Sequence, residues 1–211
     1  MSTRLKLKKL LKNEWIRTGI MLAVVLIAFF SFWFGIRYAL ATDYPLLAVA
    51  SPSMVPTLNV GDLIVVHGVS NASEIYTNYG NGDIIIFHTY LPGGPNLRPG
   101  YPDELIVHRA INKTLKYDSY VGREVWYFTT LGDNNKDAVD RWPGTNYDGE
   151  PDYYIVGKVV GTIPYVGSIP LFIRTPTGIV TVVVLIILVL IVEILYSYFK
   201  EKRKPPTEAQ S

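Results

Sequence analysis

Hydrophobic positions along this chain follow two unlike patterns, continuous near the ends and interrupted in the middle. Thr18 to Ile36 runs for 19 residues without a charge, which as a helix would reach roughly 28 Å, close to the ~30 Å of a bilayer's hydrocarbon core. Gly178 to Val192 is also free of charge, and Glu193 comes late enough for its carboxylate to reach the headgroups. Each run predicts a helix that spans a membrane, over 18–36 and 176–198. Between them, residues 44–170 lack a long stripe of 3.6-residue period and carry short Val/Ile-rich runs broken by Gly, Pro, Asn and Asp. The runs Leu46 to Ala50, Leu63 to His67, Ile84 to His88, Leu105 to Ala110, Glu124 to Thr130 and Tyr154 to Ile163 predict strands, with turns at Asn81-Gly82-Asp83 and Gly122. Leu91 to Asp103, with four prolines and three glycines, reads as a loop. The expected fold is a mainly β domain over 37–175 anchored by two transmembrane helices, with tails at 1–17 and 199–211.

Charge orients this arrangement. Arg4, Lys6, Lys8, Lys9, Lys12 and Arg17 precede the first span, and Lys200, Lys202, Arg203 and Lys204 follow the second, which predicts that both tails are cytoplasmic and the β domain extracytoplasmic. From Arg37 to Arg174 there are 10 basic and 14 acidic residues, a net of −4, so the +2 of the whole chain comes from its tails. Attraction to anionic membrane lipid accounts for those tails, and no basic patch calls for nucleic acid as a partner. The chain has no cysteine, which excludes disulfides, thiol catalysis and cysteine metal sites. Asn71-Ala72-Ser73 and Asn112-Lys113-Thr114 are glycosylation sequons within the segment placed outside. Ala39-Leu40-Ala41 resembles a signal-peptide cleavage site. The apolar run before it exceeds the 7 to 15 residues of a signal core, so the reading favours a retained helix, with self-cleavage at Ala41 as a further expectation.

Three separate stretches carry candidate chemistry. Ser53 lies in Ala50-Ser51-Pro52-Ser53-Met54-Val55-Pro56-Thr57-Leu58, where two prolines fix φ and hinder regular pairing, so the hydroxyl stands on a rigid turn. A serine needs a base to attack at neutral pH, and imidazole is the side chain best suited to take that proton. His108, within Leu105 to Ala110, is a candidate, as are His67 and His88, and spacing does not choose among them. A carboxylate that holds the imidazole could come from Asp133, Asp137 or Asp140 in the run Gly132 to Arg141, although Gly-Asp-Asn-Asn is also an ordinary turn. No His-x-x-x-His or clustered ligand spacing suggests a metal.

Ser53-Met54-Val55-Pro56-Thr57-Leu58, Gly82-Asp83-Ile84-Ile85-Ile86-Phe87, Ile106-Val107-His108-Arg109 and Gly132-Asp133-Asn134-Asn135, in that order, resemble the type I signal peptidases. The likeness runs from about Leu47 to Val166 and includes Ile163-Pro164-Tyr165-Val166-Gly167. In that family a lysine base marks the usual bacterial form, and a histidine marks the archaeal and endoplasmic-reticulum form, the one this chain resembles. The resemblance implies Ser53 as nucleophile, His108 as general base and Asp133 as the aspartate of the Gly-Asp-Asn block. It gives Asp140, before Arg141, as a second aspartate, with Asp137 an alternative because the run carries one extra residue. Pro52 departs from the small flexible residue common before the nucleophile. By similarity, the Ser51 hydroxyl would join the Ser53 backbone N–H as an oxyanion donor, since Pro52 has no N–H to offer.

The resemblance implies a serine endopeptidase without a cofactor that removes signal peptides from exported preproteins, with protein-export machinery as a further partner. Substrate would lie extended along Leu46 to Ala50 or Ile84 to His88, with Val49, Met54 and Ile85 lining shallow subsites for small side chains. The competing reading is a membrane-anchored β domain without enzymatic activity that binds extended peptides or export partners.

Overall fold

In the computed structural model the described residues are 14–89, 103–136, 138–140 and 149–202. They form one antiparallel seven-stranded sheet and two long apolar helices. Helix α1 covers Glu14–Ala39, and α3 covers Pro176–Lys202, preceded by the short α2 at Ser168–Ile173. Both long helices have the length and apolar composition to cross a membrane, over Ile16–Ala39 and Pro176–Tyr196. Their apolar side chains are exposed on all sides, as at Ile27 and Val189. A helix apolar all round is stable only against other apolar matter, and the sheet does not supply it.

The strands are β1 (Leu46–Ala48), β2 (Leu63–His67), β3 (Ile84–His88), β4 (Leu105–Asp118), β5 (Arg123–Leu131), β6 (Glu150–Pro151) and β7 (Ile155–Ile163), in the spatial order β1-β2-β7-β3-β4-β5-β6. Strand β3 is at the centre, paired with β4 on one side and β7 on the other. Its Ile-Ile-Ile-Phe run is apolar without alternation because both of its faces are covered. Ile85 and Phe87 enter one core cluster with Ile75, Ala110, Phe128 and Tyr154. Ile86 enters the other, with Val49, Met54, Leu58, Ile64 and Val66. Each such side chain contributes about 1.5–3 kcal/mol when fully buried.

Strand β4 is longer than its apolar run predicts. Asn112 to Asp118 are polar apart from Leu115 and Tyr117, yet they pair with Thr129 to Arg123 across a long hairpin closed by Gly122 at φ 70°. Among the described residues, the first half of β4 is paired on one side only. Residues 105–109 lie against β3, whereas pairing with β5 begins at Arg109. Among the described residues, strand β1 likewise has β2 as its sole strand neighbour. Because every pair in the order is antiparallel, β1 and β4 run in the same direction, and among the described residues both present a free edge.

Leu40 to Pro45 join α1 to β1. Ala41 has φ 50°, and the carbonyl of Leu40 accepts the Gly68 N–H at 2.8 Å, so the Ala39-Leu40-Ala41 segment is not extended in the way a bound substrate would be.

Candidate active site

The Ser53 turn follows directly from the free edge of β1. Pro52–Met54 form one turn of 3-10 helix, seated by Met54, whose side chain is buried beside Leu58. Anchoring on both sides of Ser53 leaves its hydroxyl little freedom to wander. The turn is also clamped from outside: the Asn134 backbone N–H donates to the Ser53 carbonyl at 2.8 Å, and Asn134 Nδ2 donates to the Pro52 carbonyl at 3.2 Å. Ser51 Oγ and Ser53 Oγ are 3.2 Å apart, sharing one hydrogen bond.

Arg109 joins the same turn to the sheet. Its Nε and Nη2 donate to the two oxygens of Asp133 at 2.8 and 2.6 Å, and Nη1 donates to the Gly82 carbonyl at 2.7 Å. Thr57 Oγ1 donates to Asp133 Oδ2 at 2.5 Å. Burial pushes the Asp133 carboxyl up, but the hydrogen bonds from Arg109 and Thr57 and the Arg109 charge outweigh it and hold the group below its ordinary value. The hydrogen bond with Asp133 raises Arg109 against the opposing effect of burial. Asp133 therefore ties the Ser53 turn, β4 and the end of β5 together, and the carboxylate that meets the imidazole is a different one.

That carboxylate is Asp140. Its Oδ2 is 2.5 Å from His108 Nδ1 and accepts Thr130 Oγ1 at 2.6 Å, while its backbone N–H donates to the Thr130 carbonyl at 3.0 Å. A carboxylate can only accept, so His108 Nδ1 is the donor in this pair, and in the neutral imidazole that leaves the lone pair on Nε2. Asp137 lies outside the described residues. Of the other histidines, His67 Nδ1 meets the Gly68 carbonyl and His88 meets Asp103.

Ser51, Ser53, Val49, Met54 and His108 line one cavity of about 600 Å³, together with Ala48, Ala50, Asn135 and the Glu104 to Val107 edge of β4. Ile85 does not belong there. It is fully buried in the core cluster beneath β3, and with a strand on each side of β3 no peptide can add along it, which corrects the subsite expected at Ile85 and the substrate track expected along Ile84 to His88. Alternation of apolar residues marks a strand without telling whether it is central or at an edge. Thr57, Thr130, Arg109, Asn134 and Asn135 contribute to the site without having been singled out from the sequence for it.

The Asp133 assignment has a measurable consequence. Breaking a buried ion pair from one side costs about 3–5 kcal/mol, so Asp133→Asn is expected to lower unfolding stability at pH 7 by about 3 kcal/mol. A carboxyl held low in the folded state adds stability above its unfolded pKa, and that contribution is lost as pH falls through the folded value. Denaturant unfolding at several pH values should therefore show the gap between wild type and Asp133→Asn closing in acid, below about pH 4.

A free edge beside a serine, with an imidazole braced by a carboxylate, suits acyl transfer from an extended peptide, and curated relatives bear names of that class. No family model matches the chain. A protein of Schizophyllum commune named signal peptidase complex catalytic subunit SEC11 is 31% identical over 145 residues, covering 64% of this chain and 67% of that protein. Proteins of the same name from Chaetomium globosum and Zygosaccharomyces rouxii are 29% and 26% identical, over 75% and 82% of this chain and 81% and 86% of theirs. The chain belongs to the type I signal peptidase family, in the branch that holds these catalytic subunits.

Proposed function

We propose that this chain is a membrane-anchored serine endopeptidase that cleaves signal peptides from exported preproteins, with Ser53 as nucleophile, His108 as general base and Asp140 as the carboxylate that orients it. The observation that carries the reading is the cavity itself, which Ser53 and His108 both line, beside two strand edges that are unpaired among the described residues. Antiparallel alternation settles which backbone groups those edges offer. The Thr89 N–H bonds the Glu104 carbonyl, and the Ala110 N–H bonds the Asp83 carbonyl, so even-numbered residues here face β3, and Leu105 and Val107 face the cavity. On β1, the Val49 N–H bonds Asp62 and the Pro45 carbonyl accepts from Val66, which leaves Ala48 and Ala50 facing outward. A peptide between them can hydrogen-bond on both sides and complete the sheet, while Val49 and Met54 crowd its side chains and favour small ones.

Strand β1 begins close to the end of α1 and runs toward Ser53. A substrate emerging from the same bilayer would lie parallel to β1, with its membrane-side residues near Leu46 and its scissile bond at Ser53. Ser53 Oγ then attacks the carbonyl carbon and His108 Nε2 takes the hydroxyl proton. Asp140 stabilises the imidazolium, which returns the proton to the leaving amine, and water releases the acyl group by the same route. The basic tails favour a cytoplasmic position for both ends, with the 37–175 domain outside, anchored through spans at 18–36 and 176–198. The relatives are named as subunits of a complex, which favours export machinery as a partner.

Incubated in lipid nanodiscs with a labelled preprotein, the full chain is expected to release one product whose new N-terminus follows a small residue. A preprotein left whole, or cut at scattered positions, overturns the proposal.

A further inference from the structure

The sequon Asn71-Ala72-Ser73 lies where the peptidase reading makes no use of it. Asn71, Ser73 and Glu74 are exposed, whereas Ile75 directly after them is buried in the core. Asn71 Oδ1 accepts two hydrogen bonds, from the Ser73 backbone N–H at 3.1 Å and from Ser73 Oγ at 2.7 Å. Both donors belong to the sequon itself, so this Asx turn is local and needs no support from the rest of the fold. Asn71 Nδ2 donates to Glu74 Oε1 at 3.2 Å, an exposed bond that water can replace.

Attachment of a sugar to asparagine requires the carboxamide nitrogen to act as a nucleophile. An amide nitrogen is a poor one, because its lone pair is delocalised onto the carbonyl. Two donors on Oδ1 stabilise negative charge there and so favour loss of a proton from Nδ2 as it attacks. The second sequon, Asn112-Lys113-Thr114, is held differently. It is part of β4, with Asn112 opposite Thr129 and Thr114 opposite Tyr127. Residues two apart on a strand stand roughly 6–7 Å from one another, so the pairing holds the Thr114 hydroxyl away from the Asn112 carboxamide.

There is also room for the product. Asn71 borders an open cavity of about 540 Å³, together with Trp126, Tyr153 and the Arg123–Asp152 ion pair. Aromatic rings beside charged groups offer both the apolar and the polar contacts that a sugar ring uses. This cavity shares no lining residue with the one that holds Ser53 and His108. Ala72 packs on the core cluster of Ile85 and Phe87, whereas Val49 and Met54 of the peptidase cavity belong to the other cluster. Bulk attached at Asn71 therefore leaves the peptidase cavity open.

We propose that Asn71 is an N-glycosylation site whose donor is an oligosaccharide linked through a diphosphate to a membrane polyprenol. Nδ2 attacks the anomeric carbon of the first sugar, and the C–O bond to the diphosphate breaks as the C–N bond forms. The lipid diphosphate leaves, and the Nδ2 proton passes to a base of the transferase. The assignment rests on the extracytoplasmic placement of the 37–175 domain and not on its peptidase activity.

The full chain, translated into endoplasmic-reticulum microsomes that supply this donor and its transferase, is expected to gain the mass of one glycan, removable by an endoglycosidase. Asn71→Gln and Ser73→Ala should each abolish the gain, Ser73→Thr should keep it, and Asn112→Gln should leave it unchanged. Preprotein cleavage by Asn71→Gln should match that of the glycosylated chain. A reporter chain separates site from topology: Asn71→Gln combined with Ser119→Asn and Val121→Thr moves the sequon to the exposed tip of the β4–β5 hairpin. A glycan on the reporter with none on the wild type overturns Asn71 alone and leaves the domain's placement standing. No glycan on either overturns the placement and the site together, and a gain that survives Asn71→Gln shows that the acceptor is another residue.

Discussion

Ser53→Ala is expected to lower kcat on a signal-peptide substrate by about six orders of magnitude, the loss seen when the nucleophile of a serine hydrolase is removed. The reason is chemical. The alanine methyl cannot form the acyl-enzyme, and what remains is the catalysis that binding and oxyanion donors give to direct attack by water. Folding should be nearly untouched, because the one hydrogen bond lost is the 3.2 Å contact between the Ser51 and Ser53 hydroxyls on an exposed turn. The turn itself is held by Met54 in the core and by Asn134 on the backbone, neither of which changes. Substrate should still dock between the edges of β1 and β4, so the variant is expected to bind a preprotein and compete with wild type for it. Cleavage followed by intact mass, together with Tm and a binding measurement, checks all three parts. Substantial residual cleavage in a Ser53→Ala preparation free of wild-type enzyme would remove serine catalysis from the account.

The elements that were legible in the sequence are those whose pattern has one physical meaning. Leu63 to His67 and Ile84 to His88 are bounded by turn residues and coincide with β2 and β3. The outer half of β4 was missed because Asn112, Lys113, Thr114 and Lys116 offer no apolar run. It is held by pairing across the hairpin with β5, including Leu115 opposite Trp126, and by Lys113 Nζ, which donates to the Ser73 and Ile75 carbonyls far back in the chain. Glu150–Pro151 is too short to leave a pattern at all. At the site, a serine between two prolines is visible as a rigid turn. Choosing among three histidines and three aspartates is a question of distance, which composition does not encode.

The two described aspartates near His108 can be told apart by what their loss disturbs. Asp140→Asn is expected to lower kcat by about 10⁴-fold, the effect of the same change beneath a serine-paired imidazole elsewhere, with only a modest change in Tm. In this structure Asp140 Oδ2 receives two donors, His108 Nδ1 at 2.5 Å and Thr130 Oγ1 at 2.6 Å. If the amide oxygen takes that place, both bonds persist but the charge that stabilises the imidazolium is gone. If the amide nitrogen takes it, Thr130 loses its acceptor and the imidazole must turn to the tautomer with its proton on Nε2, where it cannot accept from Ser53. Both outcomes raise the barrier for proton transfer, whereas Thr130→Val keeps the charge and should cost far less. Asp133→Asn reverses the balance: it breaks the forked pair with Arg109 and the bond from Thr57, lowering stability while leaving the His108–Asp140 couple in place. Measured well below its Tm, Asp133→Asn should retain much more kcat than Asp140→Asn. A larger kcat loss in Asp133→Asn than in Asp140→Asn, with both folded, would reassign the orienting carboxylate from Asp140 to Asp133 and require His108 to swing toward Arg109 during the reaction.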